Sequence, residues 1–184
     1  MKRLFDVMVS SVLLILASPI LLVVSVAIAL GSPGGVLFRQ ERIGHQGKIF
    51  NILKFRSMVK EASKIGPYYT TDHDPRITYI GRFIRRTSLD ELPQLINVLK
   101  GDMSLVGPRP DVPAQRILYT DAEWQERHSV RPGITGLAQA TIRSAGTEEQ
   151  RKALDLEYVR RASLWFDVWI LLLTVRQVLL KGGN

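Results

Sequence analysis

Two adjacent carboxylates, Asp90 and Glu91, sit in Arg85-Arg86-Thr87-Ser88-Leu89-Asp90-Glu91-Leu92-Pro93-Gln94, just after a basic run that includes Arg82. Carboxylates beside arginines suit phosphate chemistry. A carboxylate can attack phosphorus to give an acyl phosphate, a divalent cation offsets repulsion between the anions, and fixed arginines receive developing charge. The same residues have a plainer reading. Ser88 with Glu91 three residues on is a capping box, and Asp90 is itself a candidate N-cap, with Pro93 in the tolerated first turn. Leu89, Leu92, Leu95, Ile96 and Leu99 recur at helical spacing, so the stretch reads as a loop entering a half-buried helix. Its N-terminal end favours negative charge under either reading.

Other residues could join that chemistry. Arg109 lies between Pro108 and Pro110, so its backbone is stiff and its planar guanidinium is pre-placed for bidentate phosphate recognition. Arg131-Pro132-Gly133 repeats the theme of an arginine beside proline and glycine. Asp72 and Asp74 could hold a metal, though before Pro75 they read better as turn formers. The histidines at 45, 73 and 128 lack ligand spacing, which argues against zinc, and His45 reads as a solvated turn residue.

The elements that must position these residues begin with a membrane segment. After Lys2, Arg3 and Asp6 no charge appears until Arg39, and Val7 to Leu30 is almost wholly aliphatic. That is enough for roughly 20 helical residues to cross a core of about 30 Å. Ser18-Pro19 falls in its middle, where proline removes a backbone hydrogen bond. Positive charge flanks both ends (Lys2 and Arg3 before, Arg39, Arg42, Lys48, Lys54 and Arg56 after), which places both in the cytoplasm. A re-entrant helix broken at Ser18-Pro19 satisfies both facts; a kinked spanning helix is the alternative. Residues 1–32 are thus expected as a membrane hairpin and 33–184 as a cytoplasm-facing domain, the two forming one structural unit. Val36–Gln40 and Ile49–Phe55 read as a small β-hairpin around Gly44-His45-Gln46-Gly47. Ile77–Arg86, basic and apolar by turns, suits a helix on an anionic surface. Thr120 with Glu123 and Thr147 with Gln150 open two more helices. The run Ser163–Leu180 carries Trp165, Phe166 and Trp169, with Ser163, Asp167, Thr174, Gln177 and Lys181 near one stripe, and reads as an interfacial helix. The expected fold is α+β and mainly helical.

A chain of 184 residues, net charge +8 and pI about 10 points to an anionic partner. The lack of cysteine excludes disulfides and thiolate metal sites. No oligomeric state is readable.

The sequence resembles the monotopic phosphoglycosyl transferases, or bacterial sugar transferases. The resemblance rests on Lys2-Arg3-Leu4-Phe5-Asp6, Ser18-Pro19, Lys54-Phe55-Arg56-Ser57-Met58, Asp74-Pro75-Arg76-Ile77-Thr78, Ser88 to Gln94, Gly101 to Pro110, and Arg131-Pro132-Gly133-Ile134-Thr135-Gly136, in the family's order. It looks like the minimal, catalytic-core form. The resemblance implies transfer of a phospho-sugar from a UDP-sugar to polyprenyl (undecaprenyl) phosphate with release of UMP, at the bacterial inner membrane. It implies Asp90 as the nucleophile that carries the phospho-sugar, Glu91 as the Mg²⁺ ligand, and Arg109, with Arg85, as phosphate contacts. Arg131 is a further candidate. After Leu137-Ala138-Gln139 the chain reads Ala140-Thr141-Ile142-Arg143-Ser144 where many members carry a Val-Asn-Gly-Arg-Asn-like segment; Arg143 stands in for that arginine. Two competitors from other classes are a non-catalytic membrane-anchored module that binds nucleotide or anionic lipid, and a nucleic-acid-binding membrane protein. The second lacks any nucleic-acid fold signature, so no nucleic-acid partner is expected.

Overall fold

A computed structural model describes residues 1–62, 65–66, 74–142 and 146–181. Helix α1, Lys2–Gly31, carries Pro19 inside it. The expected break at Ser18-Pro19 takes the form of a proline within one continuous helix. Pro19 has no N–H for the carbonyl of Ile15, and the Ser18 hydroxyl donates to that oxygen instead, at 2.8 Å. The middle of α1 is bare: Ile15, Leu16, Leu22 and Val23 are 67–72% exposed.

Both ends of α1 are tied to the folded body. At the start, Lys2 pairs with Asp167 and donates to the Val106 carbonyl. Asp6 accepts from the Ser104 hydroxyl at 2.9 Å and the Leu105 amide at 3.2 Å. Arg3 donates to the carbonyls of Val98 and Leu99. At the other end Val24 and Ile28 share a buried cluster with Phe55 and Ile84. Arg56 closes that end on the carbonyls of Ser32 and Pro33.

Strands β1 (Leu37–Ile43) and β2 (Ile49–Phe55) form the expected antiparallel hairpin, its first strand starting one residue later and ending three residues later than read. The register sets Phe38 opposite Lys54, Gln40 opposite Ile52 and Arg42 opposite Phe50, so these six side chains share one face. His45 is not simply solvated, since its Nε2 lies 3.0 Å from the Ser129 carbonyl. Beyond β2, the Asn97 side chain replaces a third strand. It accepts from the Leu53 amide at 2.9 Å and donates to the Asn51 carbonyl at 2.8 Å.

That asparagine belongs to α3, Gln94–Lys100, which ends at Gly101 in the left-handed region, φ 94°. Its buried face is Leu95, Asn97 and Val98; Leu99, read as part of the apolar stripe, is 36% exposed. Before it, α2 (Tyr79–Arg86) is capped by Thr78 and buries Gly81 and Ile84, leaving Tyr79, Arg82, Phe83 and Arg86 outward. Asp74 is a turn former, as read: both its oxygens engage Arg76. Asp72 and His73 lie outside the described residues.

A second, unforeseen ladder pairs β3 (Ser104–Val106) in parallel with β4 (Gly133–Thr135). Helices α4 (Asp121–Arg127) and α6 (Glu148–Arg161) carry the expected capping boxes at Thr120/Glu123 and Thr147/Gln150, with the short α5 (Leu137–Thr141) between them. The core gathers Leu95, Leu105, Val106, Leu137, Ala140, Tyr158 and Ile170. Helix α7, Leu164–Lys181, is inside-out. Its polar stripe faces inward: Asp167 meets Lys2 and the Tyr158 hydroxyl, Thr174 meets Thr135, and Gln177 donates to the Ala140 carbonyl. Its outer face carries Trp165, Leu172 and Val175 at 55–84% exposure. A helix that hides its polar side and bares its apolar side is built for a non-aqueous neighbour.

Candidate active site

Asp90 and Glu91 stand on a single 3-10 turn, Leu89–Glu91, ahead of α3 and not in its first turn. The capping-box reading fails here. Ser88 makes no side-chain cap; it adopts the left-handed region at φ 57°, a costly conformation for a non-glycine residue. Glu91 is drawn away to two cations. The Lys54 ammonium donates to Glu91 Oε1 at 2.6 Å and Arg109 Nη2 donates to the same oxygen at 3.3 Å. The hairpin supplies Lys54 from its inner face, and Arg42 from the same face lines the same recess with Gln94, Pro110 and Ile134.

Arg109 owes its position to the loop below it. Each carbonyl from Pro108 to Asp111 accepts from a different partner: the Gly133 amide at 2.9 Å, Arg127 Nη2 at 2.8 Å, Arg42 Nη1 at 3.0 Å and the Ile43 amide at 2.9 Å. The two prolines stiffen the loop, as the sequence implies, and four donors from three elements, β1, α4 and β4, fix where it points.

The two neighbouring carboxylates differ sharply. Burial pushes Glu91 up, but Arg109 and Lys54 outweigh it and bring the carboxyl down to about 2. Burial also pushes Asp90 up; Lys54, Arg85 and Arg109 pull the other way without cancelling it, and the Glu91 charge adds to the rise. Among the described residues, no hydrogen bond or ion pair engages the Asp90 carboxylate. Burial, with Arg109 beside it, lowers Arg42 to about 10, and burial lowers Lys54. The recess therefore holds one pinned carboxylate and a surplus of positive charge, and the unengaged Asp90 stands next to it on the same turn.

Residues 1–181 match the family described as bacterial sugar transferase. The chain belongs to that family. It is 47% identical over 183 residues to the UDP-glucose:undecaprenyl-phosphate glucose-1-phosphate transferase of Escherichia coli, covering 95% of this chain and 39% of that protein. It is 46% identical over 187 residues to a protein of the same name from Caulobacter vibrioides, covering 97% and 69%. It is 40% identical over 198 residues to the undecaprenyl-phosphate galactose phosphotransferase of Salmonella typhimurium, covering 100% and 41%. The chain thus spans about two fifths of the Escherichia coli and Salmonella relatives.

Within this bacterial sugar transferase, Lys54, Arg42 and Gln94 were not singled out from the sequence. Strand alternation could have flagged Lys54 and Arg42, a lysine and an arginine at inward-facing alternate positions of a hairpin. Arg85 lies close enough for its charge to act on Asp90. Arg131 is not gathered into the recess: it is exposed and its Nε donates to the Gly101 carbonyl. Arg143 lies outside the described residues. No cluster of three or more Asp, Glu, His or Cys able to hold a metal occurs among the described residues. Both cations on Glu91 use Oε1, which leaves Oε2 without a hydrogen bond among those residues. One or two carboxylates completed by water and substrate phosphates is a donor set that suits Mg²⁺.

Proposed function

We propose that this chain moves a sugar 1-phosphate from a UDP-sugar to a polyprenyl phosphate, such as undecaprenyl phosphate, and releases UMP. The relatives named above support the reaction type. The observation that carries the reading is the unengaged Asp90 carboxylate beside a Glu91 pinned through Oε1 by Lys54 and Arg109, at the edge of the recess that Arg42 also lines. The cations draw the diphosphate in and neutralise it.

An Asp90 oxygen attacks the phosphorus that bears the sugar. The new O–P bond forms as the bond from that phosphorus to the bridging oxygen breaks, and UMP leaves with the electron pair. The raised basicity of Asp90 makes it the better nucleophile of the two carboxylates. Arg109, with Arg85 near Asp90, receives charge on the phosphoryl oxygens. A phosphate oxygen of the polyprenyl acceptor then attacks the same phosphorus, displaces Asp90 and forms the diphosphate. Glu91, through its Oε2, would hold Mg²⁺, which would supply further charge neutralisation. Arg131 and Arg143 are proposed as outer electrostatic contacts to the donor.

The proposed seat is the cytoplasmic face of the bacterial inner membrane; the bare middle of α1 and the apolar outer face of α7, with Tyr79 and Phe83 of α2 as anchors, support contact with lipid. Both ends of α1 meet the same body, which favours a re-entrant course over a span. Cysteines introduced at positions 2 and 48 should then both label from the cytoplasm; labelling from opposite sides replaces the hairpin with a span.

Mass spectrometry of the enzyme quenched with UDP-sugar and Mg²⁺ alone should find the sugar phosphate on Asp90. Asp90→Asn should abolish the adduct and cut UMP release by at least about 10⁴-fold, the scale of losing a nucleophile. An unmodified Asp90 while product accumulates removes the covalent route. Donor binding without any UMP release leaves only a binding module.

A further inference from the structure

Directly beneath the Arg109 loop lies a buried ionic cluster that no step of the reaction uses. Arg127, at the end of α4, is 4% exposed. Its Nη1 pairs with Asp111, and its Nη2 donates both to Asp155 of α6 at 2.6 Å and to the Arg109 carbonyl at 2.8 Å. Asp111 and Asp155 are 3% and 4% exposed. Asp111 is further held by the Tyr119 hydroxyl at 3.3 Å and lies 3.3 Å from His128 Nε2.

We infer that Arg127, oriented by Asp155 and Asp111, is a positioning residue for phosphate recognition: it sets the backbone of Arg109 and so the reach of that guanidinium. This rests on the transferase reading and adds to it a device outside the substrate's contact.

Three features favour a positioning role over a general structural one. First, Arg127 spends one of its few buried donors on the carbonyl of the phosphate-contacting residue itself, where that residue's neighbours are prolines that offer no N–H. Second, its partners come from distant parts of the chain: Asp111 from the loop and Asp155 from α6, so the loop is referenced to the body rather than to its own turn. Third, the remaining carbonyls of the loop are each held by another donor, so Arg127 completes a set of four. Burying a guanidinium between two carboxylates is a poor source of net stability but a good source of defined geometry. A displacement of about 1 Å in a group that meets the reacting phosphate can cost on the order of 10²-fold in rate.

The test is a double-mutant cycle in the full chain, reconstituted in lipid nanodiscs. Removing Arg127 outright strands two buried carboxylates and endangers folding, so Asp155→Asn is the working variant; it keeps the shape and the acceptor while removing the charge. Arg127→Lys is the second variant. Each is combined with Arg109→Ala. Asp155→Asn is expected to lower kcat for UMP release about tenfold with KM for the UDP-sugar changed less than about twofold, and to have no further effect once Arg109 is alanine. A parallel arm measures UDP affinity by calorimetry, where the same non-additivity is expected without any turnover. Multiplying effects in both arms, or an Asp155→Asn enzyme with wild-type kcat and affinity, overturns the inference. An enzyme that binds UDP non-additively yet releases no UMP sinks the transferase reading while leaving the positioning role standing. A wild-type chain that does not bind UDP sinks the phosphate role of Arg109 and the inference with it.

Discussion

The recess and the cluster beneath it are both built from arginines and carboxylates, yet they are opposites. In the cluster, Asp111, Arg127, His128 and Asp155 are 3–5% exposed and the guanidinium is spent on two carboxylates and a carbonyl. Around the recess, Arg109 is half exposed, the charges of Lys54, Arg85 and Arg109 act on Asp90 and that of Arg42 on Glu91, and Asp90 is engaged by nothing among the described residues. A buried network fixes geometry because no alternative partner is in reach, even though Arg127 Nε and Asp155 Oδ1 have no hydrogen bond among the described residues. An open one with surplus positive charge is incomplete until an anion arrives. The same residue types thus serve as foundation in one place and as receptor a few ångströms above, and burial with partner count tells them apart.

The comparison is broken most forcefully from the foundation. Arg127→Met leaves Asp111 and Asp155 buried without their cation and should cost about 3–5 kcal/mol, read by thermal unfolding in detergent. Arg109→Ala removes a half-exposed partner from a Glu91 that keeps Lys54, and should cost less than about 1 kcal/mol. If the two substitutions destabilise equally, recess and foundation are one network and the distinction has no physical content.

How much of this could be read from the chain depends on the range of the interactions. The caps at Thr120 and Thr147 are three-residue events, and both were legible. The hairpin was legible from alternation, and the stripe on α7 from spacing. What spacing cannot reveal is which side of α7 faces protein: the polar stripe points inward because Asp167 meets Lys2 and Tyr158, residues far away in sequence. The β3–β4 ladder escaped because three-residue strands inside Gly/Pro motifs show no period. At the site, the carboxylate pair and Arg109 were legible as chemistry. Lys54 and Arg42 were not, since a charged residue in a strand acquires its role only through the register that turns it inward. The capping box at Ser88 looked right locally and lost to tertiary contacts, as Lys54 and Arg109 give Glu91 stronger, charged partners than a backbone amide.

The finest test of the comparison lies within the turn Leu89–Glu91, where an engaged and an unengaged carboxylate are adjacent. Glu91 is depressed from its ordinary 4.5 to about 2, so ionised Glu91 stabilises the fold. That stabilisation is fully present above about pH 4.5 and is lost as pH falls through 4.5 towards 2. Asp90 is raised above its ordinary 3.8, chiefly by burial, so the folded state prefers its proton. Its contribution is favourable below pH 3.8 and is lost as pH rises through the raised value, which makes ionised Asp90 a liability at neutral pH. Neutral isosteres should therefore shift stability in opposite directions at pH 7. Asp90→Asn is expected to raise the melting temperature by about 2–4 °C, the shift that about 1 kcal/mol produces in a domain of this size, and Glu91→Gln to lower it by at least as much. The gain from Asp90→Asn should shrink as the pH is lowered towards 4, because protonation does to the wild type what the amide does to Asp90, whereas the loss from Glu91→Gln fades only as the pH falls from 4.5 towards 2. Melting curves that move the same way would mean that both carboxylates are equally satisfied, and Asp90 would then lose the unengaged state on which its proposed role as nucleophile depends.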